Sequence, residues 1–149
     1  MEKFEYKNTL NLNEKVMITI VRLSEVYKKK CASVFKNYGL TFAQYNVLRI
    51  LDNSQNGQST ISRISKLMLV SGANMTGIVK RLAKDGFLIK KSVTEDERIK
   101  VLEITPKGKQ TLNNIGNEKD ELLKKYLVDF SDDYKAELKS ALKKMLFIK

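Results

Sequence analysis

Residues 88–106, "LIKKSVTEDERIKVLEITP", decide how the chain is read. An alternating run climbs from Leu88 to Val93. A knot of charge follows, Thr94-Glu95-Asp96-Glu97-Arg98, and a second alternating run leads from Ile99 to Ile104. Period-two alternation on both sides of a short polar turn predicts two strands joined as a hairpin. Three carboxylates in one turn of a chain with net charge +11 need an explanation.

Upstream, the pattern changes to helical. Val16, Ile20, Leu23, Tyr27, Cys31, Val34 and Tyr38 recur at spacings of three and four, which predicts a first helix over 12–38 that Gly39 ends. Thr41 and Gln44 have the spacing of a capping box, so a second helix starts there, with Val47, Leu48, Ile50 and Leu51 toward the core. "DNSQNGQS" is a loop. Ser59 or Thr60 caps a short third helix with Ile61, Ile64 and Leu67 inward. After a break at 68–70, Ser71 caps a fourth helix bearing Met75, Ile78, Val79 and Leu82, which Gly86 stops.

Downstream, Thr105-Pro106 is an N-cap with proline at the first helical position. The helix it opens carries Leu112, Ile115, Leu122, Leu123 and Tyr126. Ser131 caps a last helix with Tyr134, Leu138, Ala141, Leu142 and Met145. Two short helices joined by a few residues and followed by a two-stranded ribbon define a winged helix-turn-helix. The expected fold class is mainly α with a small β-hairpin (α+β), in a single unit of 149 residues. The winged region spans 40–105, and the flanking helices, 10–38 and 106–149, are the candidates for dimerisation.

Composition narrows the function. The chain has 28 Lys+Arg against 17 Asp+Glu, which favours an anionic partner, nucleic acid first and an acidic membrane surface second. No apolar run is long enough to span a bilayer. The start, "MEKFEYKNTLNLNEK", lacks the layout of a signal peptide, and a single cysteine suits a reducing cytosol. There is no histidine and no glycine-rich phosphate loop. Histidine-dependent catalysis is thereby excluded, and no cofactor or metal site is expected.

The fourth helix carries the chemistry. At 100° per residue, with Met75, Ile78, Val79 and Leu82 inward, the outer face is Ala73, Gly77, Lys80 and Lys84. Asn74 and Arg81 flank it on one side and Thr76 on the other. Small residues let a helix sit deep in a groove, Asn74 and Thr76 match base edges, and Lys80, Arg81 and Lys84 match phosphates. Residues 61–91 hold seven basic side chains against the single Asp85. The competing reading is a solvated basic face, or a winged-helix protein–protein interaction module without DNA binding. An enzyme would need a nucleophile–base or metal constellation, and none is present.

Three stretches resemble the MarR-type transcription regulators: "LTFAQYNVLRIL" (40–51), "TISRISKLMLVSGANMTGIVKRLAKDGFLIK" (60–90) and "DERIKVLEITPKG" (96–108). The last resembles the family's wing signature, Asp-x-Arg before a strand that ends in an aliphatic residue and threonine, then glycine. Met68 departs from the pattern, since such turns often carry glycine. The resemblance implies that the hairpin is a wing whose Arg98 enters the minor groove, braced by Asp96. Lys90, Lys91 and Lys100 would touch the flanking backbone, and Ser71 would cap the recognition helix. It also implies a homodimer on an inverted-repeat operator in double-stranded DNA, acting as a repressor that a small, commonly aromatic, effector releases.

Tyr27, Tyr38 and Tyr45 are the candidates to line an effector crevice, against the plainer reading of core aromatics. Cys31 is the candidate for a thiol redox sensor, with Lys28, Lys29 and Lys30 to lower its pKa if they come near. Its place on an apolar stripe favours an inert, buried thiol.

Overall fold

A computed structural model of the chain describes residues 9–68, 71–92 and 100–147. Helix α1 (Leu12–Lys36) opens at Asn11, whose side chain accepts from the Glu14 N–H while the Glu14 carboxylate accepts from the Asn11 N–H. Helix α2 (Phe42–Asp52) has the expected Thr41/Gln44 box. Strand β1 (Gln58–Thr60) leads into α3 (Ile61–Met68), and α4 (Gly72–Lys84) follows. Strands β2 (Leu88–Ser92) and β3 (Lys100–Ile104) form the hairpin stem, and α5 (Pro106–Leu127) and α6 (Asp132–Leu146) complete the chain.

The sheet has three strands in the order β1-β3-β2, all antiparallel. Strand β1 takes the last two residues of the segment expected to be loop, Gln58 and Ser59, together with Thr60. Its three residues, Gln-Ser-Thr, carry no apolar alternation, so periodicity could not find it. The turn before it was marked by Asn56-Gly57: Asn56 sits at φ 55 and Gly57 at φ 69. A Cβ on Gly57 would also come within 2.9 Å of Ile104 Cγ2, so both backbone angle and space require glycine there.

Among the described residues one buried cluster joins α1 through α5 and the sheet. Leu48, Leu51, Ile64, Met75, Val79, Leu82, Leu88 and Leu102 meet Cys31 and Phe35 of α1 and Ile115 of α5, all of them buried. The Phe35 and Tyr45 rings stack at 3.9 Å between centroids, a contact worth about 1 kcal/mol beyond burial. Leu67 is a correction: it is 62% exposed, and Met68 packs against the core instead. Seven residues from Ile61 brings the helix back to the same face at Met68, whereas Leu67 falls short of it. The first helix also stops at Lys36, two residues before Tyr38.

Thr105 fixes the junction after the hairpin. Its hydroxyl accepts from the Gly108 N–H at 3.1 Å and donates to the Gly86 carbonyl at 2.7 Å. Lys107 reaches the Asp85 carbonyl at 2.6 Å and lies over the Phe87 ring. A Cβ on Gly108 would overlap the Phe87 carbonyl oxygen and approach Ile104 Cγ1 to 2.7 Å. The amino end of α5 is thus fastened to the carboxyl end of α4 and to the sheet.

The outer parts of the flanking helices are uncovered. Leu12, Met17, Val21 and Leu23 of α1 are exposed, as are Val128, Phe130, Leu146 and Phe147 at the other end. No residue of α6 is buried.

Candidate nucleic-acid interface

Helix α4 points its apolar stripe inward as expected, with Met75, Val79 and Leu82 fully buried and Ile78 partly so. Ala73, Asn74, Thr76, Gly77, Lys80, Arg81 and Lys84 are all exposed. Ser71 is the N-cap and accepts from the Asn74 N–H at 3.5 Å. The Thr76 hydroxyl donates back to the Gly72 carbonyl at 3.0 Å, so its methyl and oxygen lone pairs are what it offers outward. Among the described residues, Lys80, Arg81 and Lys84 have no carboxylate partner. Their charge is therefore free for a ligand.

Gly77 stands out on this face. A Cβ built there would meet nothing within 4 Å, so packing inside the chain does not require glycine. Beside it runs a groove of ≈ 510 Å³, lined by Ala73, Asn74, Gly77, Ile78 and Arg81 of α4 and by Thr41, Ala43 and Gln44 at the start of α2. The contribution of α2 has no signal in the sequence, because the pattern of the second helix marks only its core face.

On the ribbon, Lys90 and Lys100 are exposed. Lys91 is committed: its ammonium is ion-paired with Glu103 across the strands, and the Gln58 side chain of β1 donates to the same carboxylate oxygen. These two partners hold the Glu103 carboxyl below the usual carboxylate range, Lys91 first. Strand alternation explains the cluster. Gln58 pairs directly with Glu103, and Lys91 lies diagonally from it on the same face. Asp96 and Arg98 lie outside the described residues, which resume at Lys100.

The three tyrosines separate. Tyr45 is buried in the core stack. Tyr38 donates its hydroxyl to Glu118 at 2.6 Å and to the Asn114 carbonyl at 3.2 Å, tying α1's end to α5. Tyr27 lines a crevice of ≈ 330 Å³ with Ile20, Leu23, Ser24, Leu123, Tyr126 and Leu127. Its ring meets Phe42 and Tyr126 edge-on, at 6.2 and 6.3 Å. Burial and its contact with Cys31 push the Tyr27 phenol up to about 12.

Cys31 is fully buried, and that burial raises its thiol pKa. The expected influence of Lys28, Lys29 and Lys30 is absent: Tyr27 and Lys119 are the groups that favour the thiolate, and desolvation outweighs them. A buried thiol with a raised pKa is a poor nucleophile toward oxidants, so the geometry runs against the sensor reading. Among the described residues no cluster could hold a metal ion, and no helix is long and apolar enough to cross a membrane.

The three-stranded sheet, the α3–α4 pair and the unpartnered basic face together define a winged helix-turn-helix protein. Residues 38–99 match the MarR family model. The HTH-type transcriptional repressor YetL of Bacillus subtilis (strain 168) is 31% identical over 88 residues, 56% of this chain. The match spans 53% of YetL, about half its length. Among solved structures, the MarR family regulator Sco3205 from Streptomyces coelicolor, in complex with DNA, superposes with a TM-score of 0.83 at 14% identity. The alignment covers 97% of this chain and 91% of that one. The organohalide-sensing regulator RdhR-CbdbA1625, in its 2,4-dichlorophenol-bound form, gives 0.81 at 19% identity over 97% and 88%. The match to the MarR family thus lies in the winged region, residues 38–99.

Proposed function

We propose that this chain is a sequence-reading transcription regulator that binds double-stranded DNA as a homodimer and acts as a repressor. The observation that carries the reading is the outer face of α4: small at Ala73 and Gly77, polar at Asn74 and Thr76, and basic without partners at Lys80, Arg81 and Lys84. Asn74 reads base edges in the major groove and the cations meet its walls. Lys90 and Lys100 extend the basic surface along the ribbon, and Arg98, braced by Asp96, reaches the minor groove. A module that binds only protein would not need an unpaired basic helix face.

The uncovered apolar side chains of α1, α5 and α6 support the dimer, because a second copy of the same helices would bury them. Two recognition helices related by a two-fold axis select an inverted repeat with half-sites about one helical turn apart. The apolar crevice at Tyr27 supports release by a small aromatic effector. Dichlorophenol in the similar regulator has the chemistry such a crevice would take.

Selection of bound duplexes from a random pool, followed by titration at several salt concentrations, tests the reading. The expected result is an inverted repeat and a steep salt slope. Weak binding, equal for all sequences, would overturn it.

A further inference from the structure

Strand alternation gives the ribbon two sides. Lys90 and Lys100 share a side with Leu88, Leu102 and Ile104, which pack in one core with Val79 and Leu82 of α4. Lys91 is on the opposite side, with Ile89, Val101 and Glu103. Of these ribbon lysines it alone faces away from α4, and among the described residues it alone is paired with a carboxylate. We propose that Glu103 determines specificity by silencing Lys91. The ribbon's free charge is confined to the α4 side, so a duplex gains ribbon phosphate contacts only when α4 lies in its groove. This rests on the DNA-binding reading and adds to it a residue that touches no DNA.

The placement of the acid supports this. Among the described residues between 53 and 117, the acidic side chains are Asp85 and Glu103. Asp85 stands at the end of α4, so Glu103 is the carboxylate of the sheet. It is held from both neighbouring strands, because Lys91 of β2 and Gln58 of β1 meet the same carboxylate oxygen. Lys109 of α5 also favours its ionised form, after those two. Without Glu103, Lys91 and Lys109 would be cations on this side with no carboxylate to oppose them.

A free lysine there would act on every duplex alike. Phosphate contacts carry no sequence information, and one made from the far side of the ribbon would not need α4 to be docked. Specificity is a difference between affinities, so cancelling an indiscriminate contact widens it.

The test measures binding of the whole chain to a random-sequence duplex and to the duplex it selects, each at several salt concentrations. Glu103→Gln should raise affinity for the random duplex on the order of fivefold at about 0.1 M salt and steepen its salt slope by about 0.9 per bound chain. The ratio between selected and random duplex should narrow. Adding Lys91→Gln to that variant should return the affinity and slope to those of the unaltered chain. Lys91→Gln alone should leave the slope as it is, whereas Lys90→Gln should lower it by about 0.9. A merely loosened sheet would weaken binding to the selected duplex, would not strengthen binding to the random one, and would not be reversed at Lys91. Thermal melting checks that each variant folds. If Glu103→Gln leaves random-duplex affinity and slope unchanged, the silencing is wrong while DNA reading stands. The same holds if Lys91→Gln alone lowers the slope as Lys90→Gln does, and that comparison decides even where Glu103→Gln fails to fold. If the unaltered chain selects no sequence at all, both fall.

Discussion

The Lys91 ammonium and the Glu103 carboxylate are ion-paired across adjacent strands, and Gln58 of the third strand donates to the same oxygen. All three strands are thus joined by one acidic side chain at the base of the hairpin. Glu103 is the residue to titrate. Its folded pKa lies below its ordinary value, so its contribution is present above the unfolded pKa and disappears as pH falls through the folded one. Glu103→Gln should lower stability at neutral pH and flatten the acid limb below about pH 4.5, so that the two proteins converge at low pH. Thermal melts of both proteins from pH 3 to 7 decide this; parallel acid limbs would refute it.

Gly108→Ala should destabilise the chain by about 1–3 kcal/mol, because its methyl would run into the Phe87 carbonyl and Ile104. The opposing atom at Phe87 is backbone and cannot rotate away. Urea denaturation measures the loss, and an unchanged midpoint would mean that α5 docks differently.

Gly77→Ala should do the reverse to stability. The added methyl meets nothing within the chain, so helix propensity alone acts and the fold gains about 1 kcal/mol. Operator affinity should fall, since in the proposed complex the methyl occupies the space through which α4 approaches the bases. A variant that is more stable and binds equally well would remove the close-approach argument.

Arg98→Ala should weaken operator binding and lower its salt dependence, in keeping with the proposed minor-groove contact. Operators whose contacted step is changed from A·T to G·C should lose most of the difference between the two proteins. Equal affinities at every salt concentration would dismiss the contact.

Cys31→Ser should leave any peroxide response as it was, because the buried thiol is held protonated. Intact-mass analysis after peroxide exposure should show the native chain unmodified at this position. Rapid sulfenic acid formation at Cys31 would restore the sensor reading.

Much of the fold was legible because its signals were local. The Thr41/Gln44 box, the Ser71 cap and the Thr105-Pro106 start each need only four neighbouring residues, and each stands where the sequence put it. Strand β1 was not legible, since its pairing with β3 joins residues 45 apart, Gln58 and Glu103, and neither is apolar. Leu67 was misplaced because an eight-residue helix gives periodicity too few turns to distinguish position 67 from 68. The outer face of α4 could be drawn on a helical wheel from its own residues. The groove beside it could not, because Thr41, Ala43 and Gln44 reach it only through the packing of α2 on α4.

Thr105 has a mechanical meaning. It fastens the start of α5 to Gly86, just past the end of α4. Helix α5 is 22 residues long, about 33 Å at 1.5 Å per residue. It is therefore a lever arm with α4 fixed at one end and the uncovered apolar surface at the other. A tilt of about 10° displaces the far end of such an arm by roughly 6 Å, nearly two base-pair steps of 3.4 Å. In the proposed dimer, two arms set wrongly by that amount could not place both copies of α4 in register with one operator.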